Sequence, residues 1–263
     1  MLLCADSHDR LRRADTHATT FANAYIKFFK DEPKPFGITH KMRNDRNGVI
    51  LLVPQKTLKG DLPLVLGEFF YELNAALDNA MWSAYKRLGS TGKLEEDKLY
   101  FPFAWTVAKL NKATFNSIPF PQQLKDWIAS IQPYNTQNLP SGSDEKGIAE
   151  ALRIIHGFAV GDRHRKPRVV ATVVSKNTAL IECSPPATIT YIQNLVASPQ
   201  EGQYEIAAFG IDGMTAETEF NVDCNFSVGV AVEDIGESIP FTRLHALKDA
   251  VMSVIQRFDR EIV

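Results

Sequence analysis

Near Pro167 the spacing of apolar residues changes from helical to strand-like, and this change constrains the fold more than any other feature of the chain. Before it, Leu11, Ala14, Ala18, Phe21, Ala22, Tyr25, Phe28 and Phe29 recur at helical spacing over residues 8–29. Leu66, Phe70, Leu73, Leu77, Ala80 and Ala84 do so over residues 62–88, with Asp61 as N-cap, Pro63 in the first turn and Gly89 as C-cap. Ile148, Leu152, Ile155 and Phe158 do so over residues 144–160, and Gly161 is expected to end that helix. After Pro167, the segments RVVATVV, TALIEC, ATITYIQNLV, YEIAAFGI and EFNVDCNFSVGVAVE cluster or alternate β-branched residues. Turn signals separate them at Ser175-Lys176-Asn177, Ser198-Pro199, Gly210 and Asp212-Gly213. An apolar stripe of Leu244, Leu247, Val251, Val254, Ile255 and Phe258 closes the chain as a helix over residues 241–262.

The class that follows is α+β: an N-terminal helical half with a small β-hairpin, and a C-terminal, mostly antiparallel β region closed by an amphipathic helix. The hairpin falls in ITHKMRNDRNGVILLVPQ, where Asp45-Arg46-Asn47-Gly48 supplies the turn and Asn-Gly is the hairpin signal. Residues 100–140 are rich in aromatics and proline, so short helices and packed loops are expected, with one helix at Gln122–Ser130. A boundary at residue 167 divides the chain into 1–167 and 168–263, or the two parts form one integrated domain.

Composition narrows the function classes. The 263 residues carry a formal charge of −2, against a surface that binds nucleic acid everywhere but compatible with a local basic patch. The three cysteines form no CxxC pair, which disfavours a structural zinc site and fits a reducing, cytoplasmic setting. The short apolar start before Asp6 falls short of a signal peptide, and no run is long enough for a membrane helix. Phosphate-binding glycine loops and the nucleophile-elbow motif are absent, so no cofactor and no metal is expected.

Two segments carry candidate chemistry. On the 62–88 helix, Glu68, Glu72, Ala75, Asn79, Trp82 and Lys86 share one stripe, while Tyr71, Asn74, Asp78, Met81 and Tyr85 share the next. Glu72 and Asp78 are therefore candidate acid–base groups, with Asn74 and Asn79 as ligand-binding amides. The simpler alternative is an amphipathic helix showing its charges to water. The second segment is Gly161-Asp162-Arg163-His164-Arg165-Lys166-Pro167-Arg168, placed after a helix C-terminus. His164, an imidazole, is a candidate acid or base, and Asp162 is a candidate either to orient it or to cap the local turn. Arg163, Arg165, Lys166 and Arg168 suit a phosphate or carboxylate, with Arg153 and His156 extending the patch upstream. The competing reading is a set of cations favoured by the helix dipole. A weaker pairing, Arg12 with His17, lies on the first helix.

The segments Gly67-Glu68…Leu73-Asn74-Ala75-Ala76-Leu77-Asp78-Asn79, Phe101-Pro102-Phe103, Gln132-Pro133-Tyr134 and Asp162-Arg163-His164-Arg165 resemble, in order and spacing, a family of uncharacterised bacterial and phage-borne proteins. That resemblance covers roughly residues 10–170 and implies no settled function. The family's usual helix motif, Leu-Arg-x-Ala-Leu-Asp-His, is similar to the Arg-x4-His motif of HEPN-type RNA-cleaving domains. Here Asn74 and Asn79 stand where that pair would be, so the resemblance implies that any chemistry shifts to His164 and its neighbours. The expectation is a cytosolic protein that binds a phosphate-containing ligand or RNA at the His/Arg turn, facing the acidic helix. The alternative is a non-enzymatic partner-binding or oligomer-forming protein that uses its aromatic segments.

Overall fold

The computed structural model describes residues 4–56, 61–88, 99–164, 170–173, 178–200, 203–215, 217–225, 228–231, 238–240 and 243–262. The chain is α+β, with helices and strictly antiparallel strand pairings among the described residues. Contacts divide it into two compact units interleaved along the sequence. One comprises Met1–Phe21, Pro63–Pro167 and Thr242–Val263, the other Ala22–Leu62 and Arg168–Phe241. The closing helix thus groups with the helical unit and the hairpin with the strands.

The helical unit contains the first part of α1 (Ala5–Lys30), then α2 (Leu62–Arg87), α3 (Val107–Asn111), α4 (Gln122–Ser130), α5 (Asp144–His164) and α6 (Arg243–Glu261). The apolar stripe expected of α6 is buried at every position, from Leu244 to Phe258. Each such side chain contributes about 1.5–3 kcal/mol relative to an exposed one. Asp259 of α6 accepts from the Cys4 backbone amide (3.0 Å) and meets the His8 ring (3.0 Å), while Lys248 reaches Asp15 (2.5 Å). These contacts set α1 and α6 side by side in opposite directions. Beyond its expected apolar face, α2 also buries Phe69, Ala76, Met81 and Tyr85, so core surrounds most of its circumference. Phe70 stacks on Phe158 of α5 at 4.2 Å, placing α5 against α2.

In the second unit, β1 (Phe36–Asn44), β2 (Asn47–Pro54), β5 (Thr188–Gln200) and β6 (Gln203–Asp212) form one sheet in the order β1-β2-β6-β5. A ladder of β4 (Thr178–Ser184) with β7 (Glu219–Asn225) packs against it through Ile181 and Phe220. The core there is Ile50, Leu52, Ile206, Phe209 and Ile211, with Phe209 and Phe220 in tilted contact at 6.0 Å. β3 (Val170–Val173), β8 (Val228–Ala231) and β9 (Ser238–Pro240) pair separately, so the long 219–233 segment splits between two ladders.

Several local expectations change. The hairpin turn is Asp45-Arg46, because the Asn44 side chain accepts from the Arg46 (2.9 Å) and Asn47 (2.8 Å) amides and closes the chain two residues early. Gly48 instead lies in β2 beneath Phe209, whose Cζ would sit 2.4 Å from any Cβ there. Gly210 is likewise a strand residue, crowded by Thr190 and Tyr191. Ser198 and Pro199 continue β5, an edge strand with a register shift between Asn194 and Ser198, where a proline costs no inner ladder bond. Gly161 does not end its helix; α5 runs on through His164, so Asp162, Arg163 and His164 occupy its last turn rather than a loop after it. The expected cap at Gly89 and the turn at 175–177 lie outside the described residues.

Candidate functional site

Residues on α2 place the acidic half of the candidate site. Glu68, at the outer edge of its stripe, is exposed and meets the His17 ring of α1 at 3.2 Å. One turn on, Glu72 is only 7% exposed. Both of its carboxylate oxygens accept from Arg10 Nη1, at 3.2 and 3.1 Å. Glu72 thus faces α1 and holds two helices together. The shared stripe therefore divides: Glu68 stays at the surface while Glu72 is sealed against Arg10. Arg10 gave no signal in sequence, since its partner lies 62 residues away. Of the weaker Arg12–His17 pairing, Arg12 is taken by Asp9 on its own helix and His17 by Glu68.

Asp78 has a comparable duty. Its Oδ1 accepts from the Phe101 backbone amide at 2.8 Å, and its Oδ2 from Asn74 Nδ2 at 3.1 Å. Asn74 is therefore the orienting partner of Asp78, and half-buried Asn79 sits beside it on the same helix. The loop after Phe101 is fixed a second time by Gln132, whose side chain is 0% exposed. Gln132 Oε1 accepts from the Ala104 amide (2.9 Å) and its Nε2 donates to the Ile128 carbonyl (3.0 Å). Tyr134 and Asn135 then both donate to the Ala129 carbonyl, at 3.2 and 2.9 Å. The Asn74–Asp78, Phe101-Pro102-Phe103 and Gln132-Pro133-Tyr134 segments therefore form one hydrogen-bonded knot. Buried polar groups persist only when paired in this way. The two hydrogen bonds hold the Asp78 carboxylate in one orientation, one oxygen toward the loop and the other toward Asn74.

The knot delivers Phe103 to α5. The Phe103 and His156 rings stack at 4.5 Å with planes 15° apart, and Trp105 lies 6.4 Å from the same imidazole. Trp105 is 42% exposed, and its neighbours Tyr100 and Val107 are also exposed. Arg153 lies one turn before His156 on α5, and both are half-buried. His156 thus joins a layered aromatic surface, a role that its place upstream of the basic segment did not suggest. At the end of α5 the backbone carries Asp162, Arg163 and His164 in helical register with His156. Their side chains, and the whole of Arg165, Lys166 and Arg168, lie outside the described residues.

Among the described residues no group of three or more His, Cys, Asp or Glu side chains is arranged to hold a metal ion. Nor is any helix there long and apolar enough to cross a membrane. Comparison with known proteins returned no matching family model, no matching curated protein and no matching solved structure.

Proposed function

We propose that this chain binds a phosphate-containing ligand, single-stranded RNA, along the C-terminal part of α5, by stacking and charge. The observation that supports this reading is the layered surface of Phe103, His156 and half-exposed Trp105 on the helix whose sequence runs on into Arg163, His164, Arg165, Lys166 and Arg168. Aromatic faces accept nucleobases of any sequence and cations follow the backbone, a pairing typical of single-strand binders. Glu72 and Asp78 have structural partners on α1 and in the 101–104 loop, which favours binding over acid–base catalysis at α2.

Anisotropy of labelled oligouridine tests the reading. Four cations that each neutralise one phosphate give roughly a 50-fold loss of affinity for a fourfold rise in salt. Trp105→Ala should weaken binding by about 1–3 kcal/mol, the worth of one stacked base. His164→Ala should weaken it without changing the fold. Oligouridine that fails to bind at low salt, or binds with no salt dependence, overturns the proposal. The exposed Tyr100, Trp105 and Val107 would then favour a protein partner on the same loop.

A further inference from the structure

At the opposite end of α5 the helical unit carries an open groove of about 610 Å3 between the first turns of α5 and the length of α6, with Trp127 of α4 at its side. Its charges are sorted by wall. α5 contributes Asp144, Glu145 and Glu150, whereas α6 contributes Arg243, Arg257 and Arg260, with Asp249 the α6 carboxylate among them. Small residues (Gly147, Ala151, Ala246 and Ala250) line the space between and leave it open. Where Glu150 and Arg243 approach to 3.9 Å, the two walls neutralise each other. Further along, Arg257 is held in place: its guanidinium lies over the Trp127 ring at 5.5 Å and its Nη2 donates to Glu261 at 2.9 Å. Arg260 follows three residues later on the same face, and among the described residues no carboxylate pairs with it.

We propose that this groove binds a short peptide with free termini, its carboxylate against Arg257 and Arg260 and its ammonium against Glu145. Three features lead there. The volume falls within the range of small-ligand sites, about 300–1,000 Å3, and is far too small for a folded partner. Two arginines one helical turn apart offer the paired donors that a carboxylate accepts, and the Trp127 contact fixes one of them in advance. The facing acidic wall rejects a simple anion and favours a ligand that is positive at its other end.

The probe is trialanine, titrated into the full chain while the Trp127 indole N–H is followed by NMR, with Trp127→Phe identifying the resonance. A saturable shift is expected, and N-acetylation or C-amidation should each weaken binding by about tenfold, one charge contact worth ~1.4 kcal/mol. Arg260→Gln and Glu145→Gln, both at the surface, should each weaken binding about fivefold or more with an unchanged circular dichroism spectrum. Three results overturn the proposal: no saturable shift at about 10 mM peptide, doubly blocked peptide binding as well as the free form, or both variants binding like the parent.

Discussion

Replacing Gln132 by leucine isolates the hydrogen-bonded knot that positions the aromatic loop. The side chain is fully buried and uses both ends of its amide, on Ala104 N and on the Ile128 carbonyl. Leucine fills a similar volume but orphans both backbone groups. Each orphan costs about 1–3 kcal/mol, and the added apolar burial returns about 1 kcal/mol, so a net loss of about 1–5 kcal/mol is expected. In thermal terms that is roughly 3–15 °C for a unit of this size, at about 3 °C per kcal/mol. Tryptophan fluorescence is the right probe, because Trp82, Trp105 and Trp127 all belong to the helical unit and report its unfolding specifically. Gln132→Glu gives a second reading: it keeps the acceptor and regains a donor only when protonated. Its deficit should therefore shrink as pH falls toward about 4, since a carboxyl held neutral in the fold stabilises below its unfolded pKa. A loss below about 0.5 kcal/mol for Gln132→Leu, the range of ordinary surface changes, would refute the role assigned to this residue.

Two further outcomes follow from buried polar groups. Glu72→Leu should cost about 1–3 kcal/mol by stranding Arg10, and the double variant with Arg10→Met should cost less than the sum of the singles while oligouridine affinity stays unchanged; strict additivity in urea unfolding would count against the pair. The Cys4 thiol is pushed up from its usual 9 to about 12, first by burial and then by the charge of Asp259 and a hydrogen bond to it. Because the folded pKa lies above the unfolded one, this stabilisation is complete below about pH 9 and is lost as pH rises toward 12, a loss that Cys4→Ala should flatten in alkaline unfolding curves.

Elements with one buried face were legible in the sequence, and those covered on several faces were not. The α6 stripe was read residue by residue because a single-sided helix writes its packing into its own period. α2 carries the same period, yet core contacts extend around it, so Glu68 and Glu72 share a stripe and differ in fate: the first is exposed, the second sealed against Arg10. Period alone fixes which residues share a face, whereas coverage of that face depends on chain tens of residues away. The expected strands are present, but two of the turn signals between them misled in the same manner. Pro199 looks like a breaker until β5 proves to be an edge, and Gly210 looks like a turn until Thr190 and Tyr191 are seen to occupy the space that a side chain would need. The polar motifs are the sharpest instance. Asp78 and Gln132 have the chemistry of a site, and both accept from backbone amides, of Phe101 and Ala104. A carboxylate or amide in a polar motif therefore points to a buried donor in need of an acceptor as readily as to a ligand. The two are told apart only by asking, for each oxygen, which hydrogen it holds.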